Sequence, residues 1–297
     1  MKLLLKVNNI SVNFGEFKAL QDISLEVNEG EILGVIGHNG SGKTTLFKII
    51  LGIINSKNGE VKFLVDKFDL KNQIGYLPEQ RGLFDKTSII DQLLYFGYLK
   101  GKSKKELIPQ IDYWLKFFNL LDKKKEKLIN LSKGNQQKIQ FIVSVIHNPK
   151  LLILDEPFSG LDPINIDVFI DAIKTMRDRG SAIIYSSHKL DSIEEISDRV
   201  LFINKGKVVY FNTISNIKNK YSFILKIKND SLTDDILVEN KIKFTKYKEI
   251  YEIVVNQKSD AEMIYDVLPN KYSDIFTIEK QSLESIYRHV NGGSENG

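Results

Sequence analysis

One stretch of eight residues constrains this chain more than any other. Gly37-His38-Asn39-Gly40-Ser41-Gly42-Lys43-Thr44 fits the pattern G-x-x-x-x-G-K-[ST], with Thr45 directly after it. A β-like run (31–36) precedes it and a helical stretch (43–51) follows. Glycines let consecutive backbone N–H groups curl around an anion, because a Cβ would block that path or forbid its dihedrals. Lys43 can reach outer phosphates, the Thr44 hydroxyl can ligate Mg²⁺, and the helix adds the positive end of its dipole. Strand, glycine loop and helix together predict an α/β core that binds a nucleotide through its phosphates.

A second element supports that prediction. Leu151-Leu152-Ile153-Leu154-Asp155-Glu156 is a wholly apolar run that ends in two carboxylates. In a parallel sheet this places acid at the carboxyl edge, where α/β sheets bind ligands. Asp155 is expected to hold Mg²⁺ through water, and Glu156 to act as general base on the attacking water. The two motifs imply a Mg-dependent nucleoside triphosphatase or kinase. Guanine specificity is disfavoured, because Asn204-Lys205-Gly206-Lys207 lacks the acid that an Asn-Lys-x-Asp reader needs.

Composition narrows the rest. The chain has 297 residues, enough for about two domains. It has no cysteine and only four scattered histidines, which excludes disulfides, thiolate metal sites and cysteine nucleophiles. Net charge is only +4 with no polybasic arm, so nucleic acid is not an expected partner. The longest apolar runs, 141–146 and 151–154, fall far short of the ~20 residues of a membrane span. The opening Met1-Lys2-Leu3-Leu4-Leu5-Lys6 is too short for a secretory signal. A membrane role therefore has to come through a partner.

Strands are predicted at 3–7, 10–14, 23–27 and 31–36, then helices at 89–99, 104–118 and 135–147, with Gly101 and Pro109 as punctuation. Strand–helix alternation returns with strands 151–155 and 182–186 and helices 165–179 and 191–196. After residue 211, alternation at Phe223, Leu225, Ile227 and at Tyr251, Ile253, Val255 predicts two strands, with helices at 261–268 and 283–290. The expected division is a nucleotide-binding domain over 1–212, with a helical subdomain at about 82–148, and an accessory α+β domain over 213–297.

Leu131-Ser132-Lys133-Gly134-Asn135-Gln136-Gln137 supplies a helix N-cap (Ser132) and a glycine that admits close approach of an anion (Gly134). Ahead of Asp155-Glu156, it resembles the signature motif of ATP-binding cassette (ABC) ATPases. The resemblance covers about residues 3–212. It implies a P-loop NTPase core with a mostly parallel sheet and an antiparallel β subdomain. It also implies that Phe14 stacks on adenine, that Ser159-Gly160-Leu161-Asp162 is the loop crossing a dimer interface, and that His188 contacts the γ-phosphate. Residues 37–45 would bind ATP and Mg²⁺ in one copy, completed by Ser132, Gly134 and Asn135 of a second copy in a homodimer.

Two departures stand out. Lys133 and Asn135 replace residues of the family's usual Leu-Ser-Gly-Gly-Gln. In Gly75-Tyr76-Leu77-Pro78-Glu79-Gln80-Arg81, register puts Glu79 where the family has a glutamine that touches Mg²⁺ and the attacking water, with Gln80 the alternative. The wording of 77–84 and 133–137, with the small C-terminal domain, resembles the ATPase subunits of bacterial ABC-2-type exporters. That implies a separate transmembrane permease and a place on the cytoplasmic face of the cell membrane. The alternatives are a non-transport ABC ATPase acting on ribosomes or DNA, and a P-loop kinase or regulatory module.

Overall fold

The computed structural model describes residues 2–65, 69–80, 82–220, 223–228, 234–255, 257–267 and 275–292. Arg81, Leu268 and the last five positions lie outside these. The chain divides into two compact units, Met1–Phe211 and Asn212–Gly297.

The first unit opens with β1 (Leu3–Phe14) and β2 (Phe17–Asn28), a long antiparallel hairpin. β1 is one strand where the sequence suggested two; Asn9 takes a left-handed φ of 47° and interrupts the register between Val7 and Ile10 without ending the strand. β3 (Ile32–Ile36) leads through the glycine loop into α1 (Lys43–Ile50), and β4 (Asn58–Phe63) returns to pair with β1. α2 (Leu70–Gln73) and β5 (Ile74–Leu77) follow.

Three helices come next: α3 (Ile89–Leu99), α4 (Lys104–Phe117) and α5 (Lys133–Val145). Pro109 lies inside α4 and does not punctuate it. The helix survives the missing donor because Ser103 and Glu106 form a reciprocal capping box and Leu107, Ile111, Trp114 and Leu115 are all buried. Trp114, Phe118, Phe141 and Phe169 pack ring against ring at centroid distances of 5.4–6.2 Å, with Phe141 edge-on to the other three, and form the subdomain core. Tyr95 and Tyr98 instead stay half exposed.

Alternation resumes with β6 (Leu151–Leu154), α6 (Pro163–Asp178), β7 (Ala182–Ser186), α7 (Leu190–Ile196), β8 (Arg199–Asn204) and β9 (Lys207–Thr213). The larger sheet runs β5-β6-β7-β3-β8-β9, parallel from β5 through β8. β6, β7 and β3 are buried along their whole length, and mostly apolar, because both faces are covered. α1 fills the space between this sheet and the three-stranded β2-β1-β4 sheet; Leu46, Phe47 and Ile50 share one core with Leu5, Leu25, Val35 and Leu201.

The second unit holds α8 (Ile214–Lys220), β10 (Phe223–Lys228), α9 (Asp234–Glu239), β11 (Thr245–Tyr247), β12 (Ile250–Val255), α10 (Lys258–Val267), β13 (Ile275–Lys280) and α11 (Leu283–Gly292). Its sheet, β11-β12-β10-β13, is antiparallel throughout, a βαββαβ arrangement. Leu225, Ile227, Leu237, Tyr251 and Ile253 form its core.

Candidate functional site

The carboxyl ends of β3, β6 and β7 meet at one cleft of about 390 Å³. It is lined by Phe14, Phe17, residues 38–45, Glu79, Asp155, Glu156 and His188. The loop approaches so closely because residue 42 is glycine: its φ is 111°, and a Cβ would lie 2.8 Å from the Ala19 carbonyl. α1 begins without a side-chain cap, so the first-turn N–H groups of Lys43, Thr44 and Thr45 have no intrahelical acceptor and suit an anion. Ser41 Oγ is buried and unpartnered. These groups fit a phosphate chain.

Lys43 Nζ donates to the Gly37 carbonyl at 2.6 Å, which curls the side chain back over its own loop. Burial lowers the ammonium pKa from its ordinary value, while the Glu156, Asp155 and Glu79 carboxylates oppose that shift. Thr44 Oγ1 donates to Asp155 Oδ2 at 2.8 Å. The hydroxyl and carboxylate oxygens are hard donors suited to Mg²⁺.

Ser186, at the end of β7, connects the two acids. Its hydroxyl donates to Asp155 Oδ1 at 2.7 Å and accepts the Glu156 N–H at 2.9 Å. Glu156 takes a left-handed φ of 51°, which turns its side chain toward the cleft rather than along the strand. The His188 N–H donates to Glu156 Oε2 at 3.2 Å, and His188 Nε2 stands 3.2 Å from Oε1. Burial pushes the Glu156 pKa up from the usual carboxylate value, His188 and Lys43 pull it down, and Asp155 adds to the rise. A carboxylate with a raised pKa beside a phosphate-binding loop is equipped to take a proton.

Glu79 lines the cleft and Gln80 does not. Gln140 explains the difference: its Nε2 donates to the Pro78 and Gln80 carbonyls at 2.9 and 3.4 Å, anchoring the loop on either side of Glu79. Phe14 and Phe17 face each other across the β1–β2 turn and remain more than half exposed at the cleft.

Ser132, Gly134 and Asn135 lie outside this cleft. Ser132 caps α5, which starts at Lys133, two residues before the expected 135; the Asn135 N–H reaches its Oγ at 3.4 Å. A Cβ on Gly134 would stand 3.6 Å from Leu161 Cδ2, so the segment packs against loop 159–162. Asp162 caps α6 through the Asn165 N–H at 2.9 Å.

Sequence reading missed Phe17 and Ser186. Two aromatics separated by the turn residues Gly15-Glu16 could have revealed the first, and a hydroxyl on the strand before His188 the second.

The sheet order, the phosphate loop and the acids at its parallel edge make this a P-loop nucleoside-triphosphate-binding protein. Residues 20–159 match the family model described as ABC transporter. An uncharacterized ABC transporter ATP-binding protein of Methanocaldococcus jannaschii is 47% identical, covering 78% of this chain and 86% of its own length. The uncharacterized ABC transporter ATP-binding protein YhaQ of Bacillus subtilis is 37% identical across 96% of this chain and 97% of its own, so it extends through the second unit. A solved structure titled as the ATP-binding subunit of an ABC transporter superposes with a TM-score of 0.68 at 27% identity, covering 73% of this chain and 93% of that one. The chain belongs to the ABC transporter ATP-binding proteins.

Proposed function

We propose that this chain is the ATP-hydrolysing subunit of an ABC exporter of the ABC-2 type, and that two copies close on ATP to drive a separate permease at the cytoplasmic face of the membrane. The observation that carries the hydrolytic reading is the bonded series Thr44–Asp155–Ser186–Glu156–His188 beside an uncapped helix end.

Lys43 and the α1 N–H groups bind the triphosphate, and Phe14 with Phe17 offers faces for the base. Mg²⁺, when bound, would be held by Thr44 and Asp155, with Glu79 in reach, and would offset phosphate charge. Glu156 accepts the proton of the attacking water; Ser186 fixes its backbone by accepting its N–H, and the His188 N–H holds its carboxylate. His188, half exposed at the rim, meets the γ-phosphate. Ser132, Gly134 and Asn135 would complete the nucleotide site of the second copy, which is why they stand apart from their own cleft. Their approach and withdrawal with ATP binding and hydrolysis is a ligand-driven population shift.

Among the described residues no helix is long and apolar enough to cross a membrane, which suits a subunit whose permease is another chain. Affinity capture of the tagged chain from detergent-solubilised membranes tests the transport reading. A co-purifying multispan protein is the expected result; ribosomal particles in its place would reject it.

A further inference from the structure

The phosphate loop rests on the tip of the β8–β9 hairpin. The Gly206 N–H donates to the Ser41 carbonyl at 2.9 Å. Gln21 of β2 holds the turn from another side, its N–H on the Gly206 carbonyl at 2.7 Å and its Nε2 on the Lys205 carbonyl at 3.0 Å. Gly206 has a φ of 74°, and a Cβ there would lie 2.5 Å from the Ala19 carbonyl, so the turn is wedged against β2. Asn204, just before this turn, therefore stands on a rigid base.

Asn204 Oδ1 lies 3.0 Å from His38 Nε2, and His38 Nδ1 lies 2.7 Å from the Asn39 carbonyl. Facing a carbonyl, Nδ1 must donate. Nε2 is then satisfied in one of two ways: an imidazolium donates to Oδ1, or a neutral ring accepts from the amide turned about its last bond. Asparagine serves both forms of the ring, whereas an apolar residue serves neither.

We propose that Asn204 is a positioning residue for the nucleotide phosphates. It fixes the His38 ring, and through it the backbone of residues 38–40 on the open side of the cradle. The inference rests on the reading that the cleft binds ATP. A cradle that must be ordered at each binding event loses affinity, whereas Glu156 keeps its own supports from Ser186 and His188. The loss therefore falls on Kd and KM rather than kcat.

Titration with a fluorescent ATP analogue and steady-state ATPase kinetics test this on the full chain, comparing the unmodified protein with Asn204→Ala, His38→Ala and the double variant. Asn204→Ala should weaken binding about two- to tenfold, the loss of one hydrogen bond, with KM rising in step. The double variant should bind no more weakly than His38→Ala alone. Unchanged affinity in Asn204→Ala, a kcat effect without a KM effect, or additive losses in the double variant would each overturn the proposal. Should thermal melting show Asn204→Ala unfolded, Asn204→Ser, which keeps a hydroxyl, should bind with intermediate affinity; unmodified affinity would overturn it. An unmodified protein that binds no nucleotide removes the ATP reading itself, and this inference with it.

Discussion

Glu156 does three things that rarely coincide in one residue. It is charged, it is nearly buried, and its backbone is left-handed. Each is costly alone, and the structure offsets all three through Ser186, His188 and Lys43. Glu156→Gln preserves the shape and removes the basicity. It should bind ATP as before and slow turnover by about 10²- to 10⁴-fold, read as phosphate release at saturating nucleotide. Near-normal turnover would remove Glu156 as the base. Glu79 allows a second comparison. Glu79→Ala should reduce kcat more than Gln80→Ala, because only Glu79 faces the cleft. The reverse order in paired assays would return the role to Gln80. The main acids and the lysine were legible in the sequence because their spacing is set by covalent chain geometry. Ser186 and Phe17 were not, because each acts through a neighbour that only the folded sheet or hairpin brings close.

At the scale of elements, motif-bearing strands and helices were readable within a few residues, while the connections were harder. β4, β5, β8 and β9 carry weak alternation of their own and are completed by pairing with β1, β6, β3 and β8 in turn. The helix expected over 104–118 forms in spite of Pro109 because a capping box and four buried side chains outweigh one lost hydrogen bond. His147 ties two elements together and has a measurable consequence. It lies just past α5, and its Nε2 bonds the Ile74 carbonyl at the start of β5 at 3.1 Å. Burial, with help from Lys100, pushes its pKa down to about 4. The unfolded chain, with a histidine near 6.5, then binds more protons than the fold between these values. Stability tied to the neutral ring is complete above about pH 6.5 and is lost as pH falls toward 4, of the order of 3 kcal/mol in all. Denaturant unfolding from pH 7 to 4 should show a steeper loss in the unmodified protein than in His147→Gln. Parallel curves would place the titration elsewhere.

For the whole molecule, the P-loop architecture was readable because strand, glycine loop, helix and acidic strand end follow in an order that few folds satisfy. The second unit showed its α+β character, yet its βαββαβ order depends on β11, a three-residue strand too short to show alternation, and on β13, whose pairing with β10 is long-range. The signature segment bears most on function. Gly134 is packed against Leu161 and stands apart from the nucleotide cleft of its own chain, the position the proposed two-copy arrangement requires of it. Sedimentation of Glu156→Gln at saturating Mg-ATP tests that relation most directly. The expected species is a dimer that retains two ATP and returns to monomer when nucleotide is withdrawn; a protein that stays monomeric with its cleft filled would contradict the two-copy site.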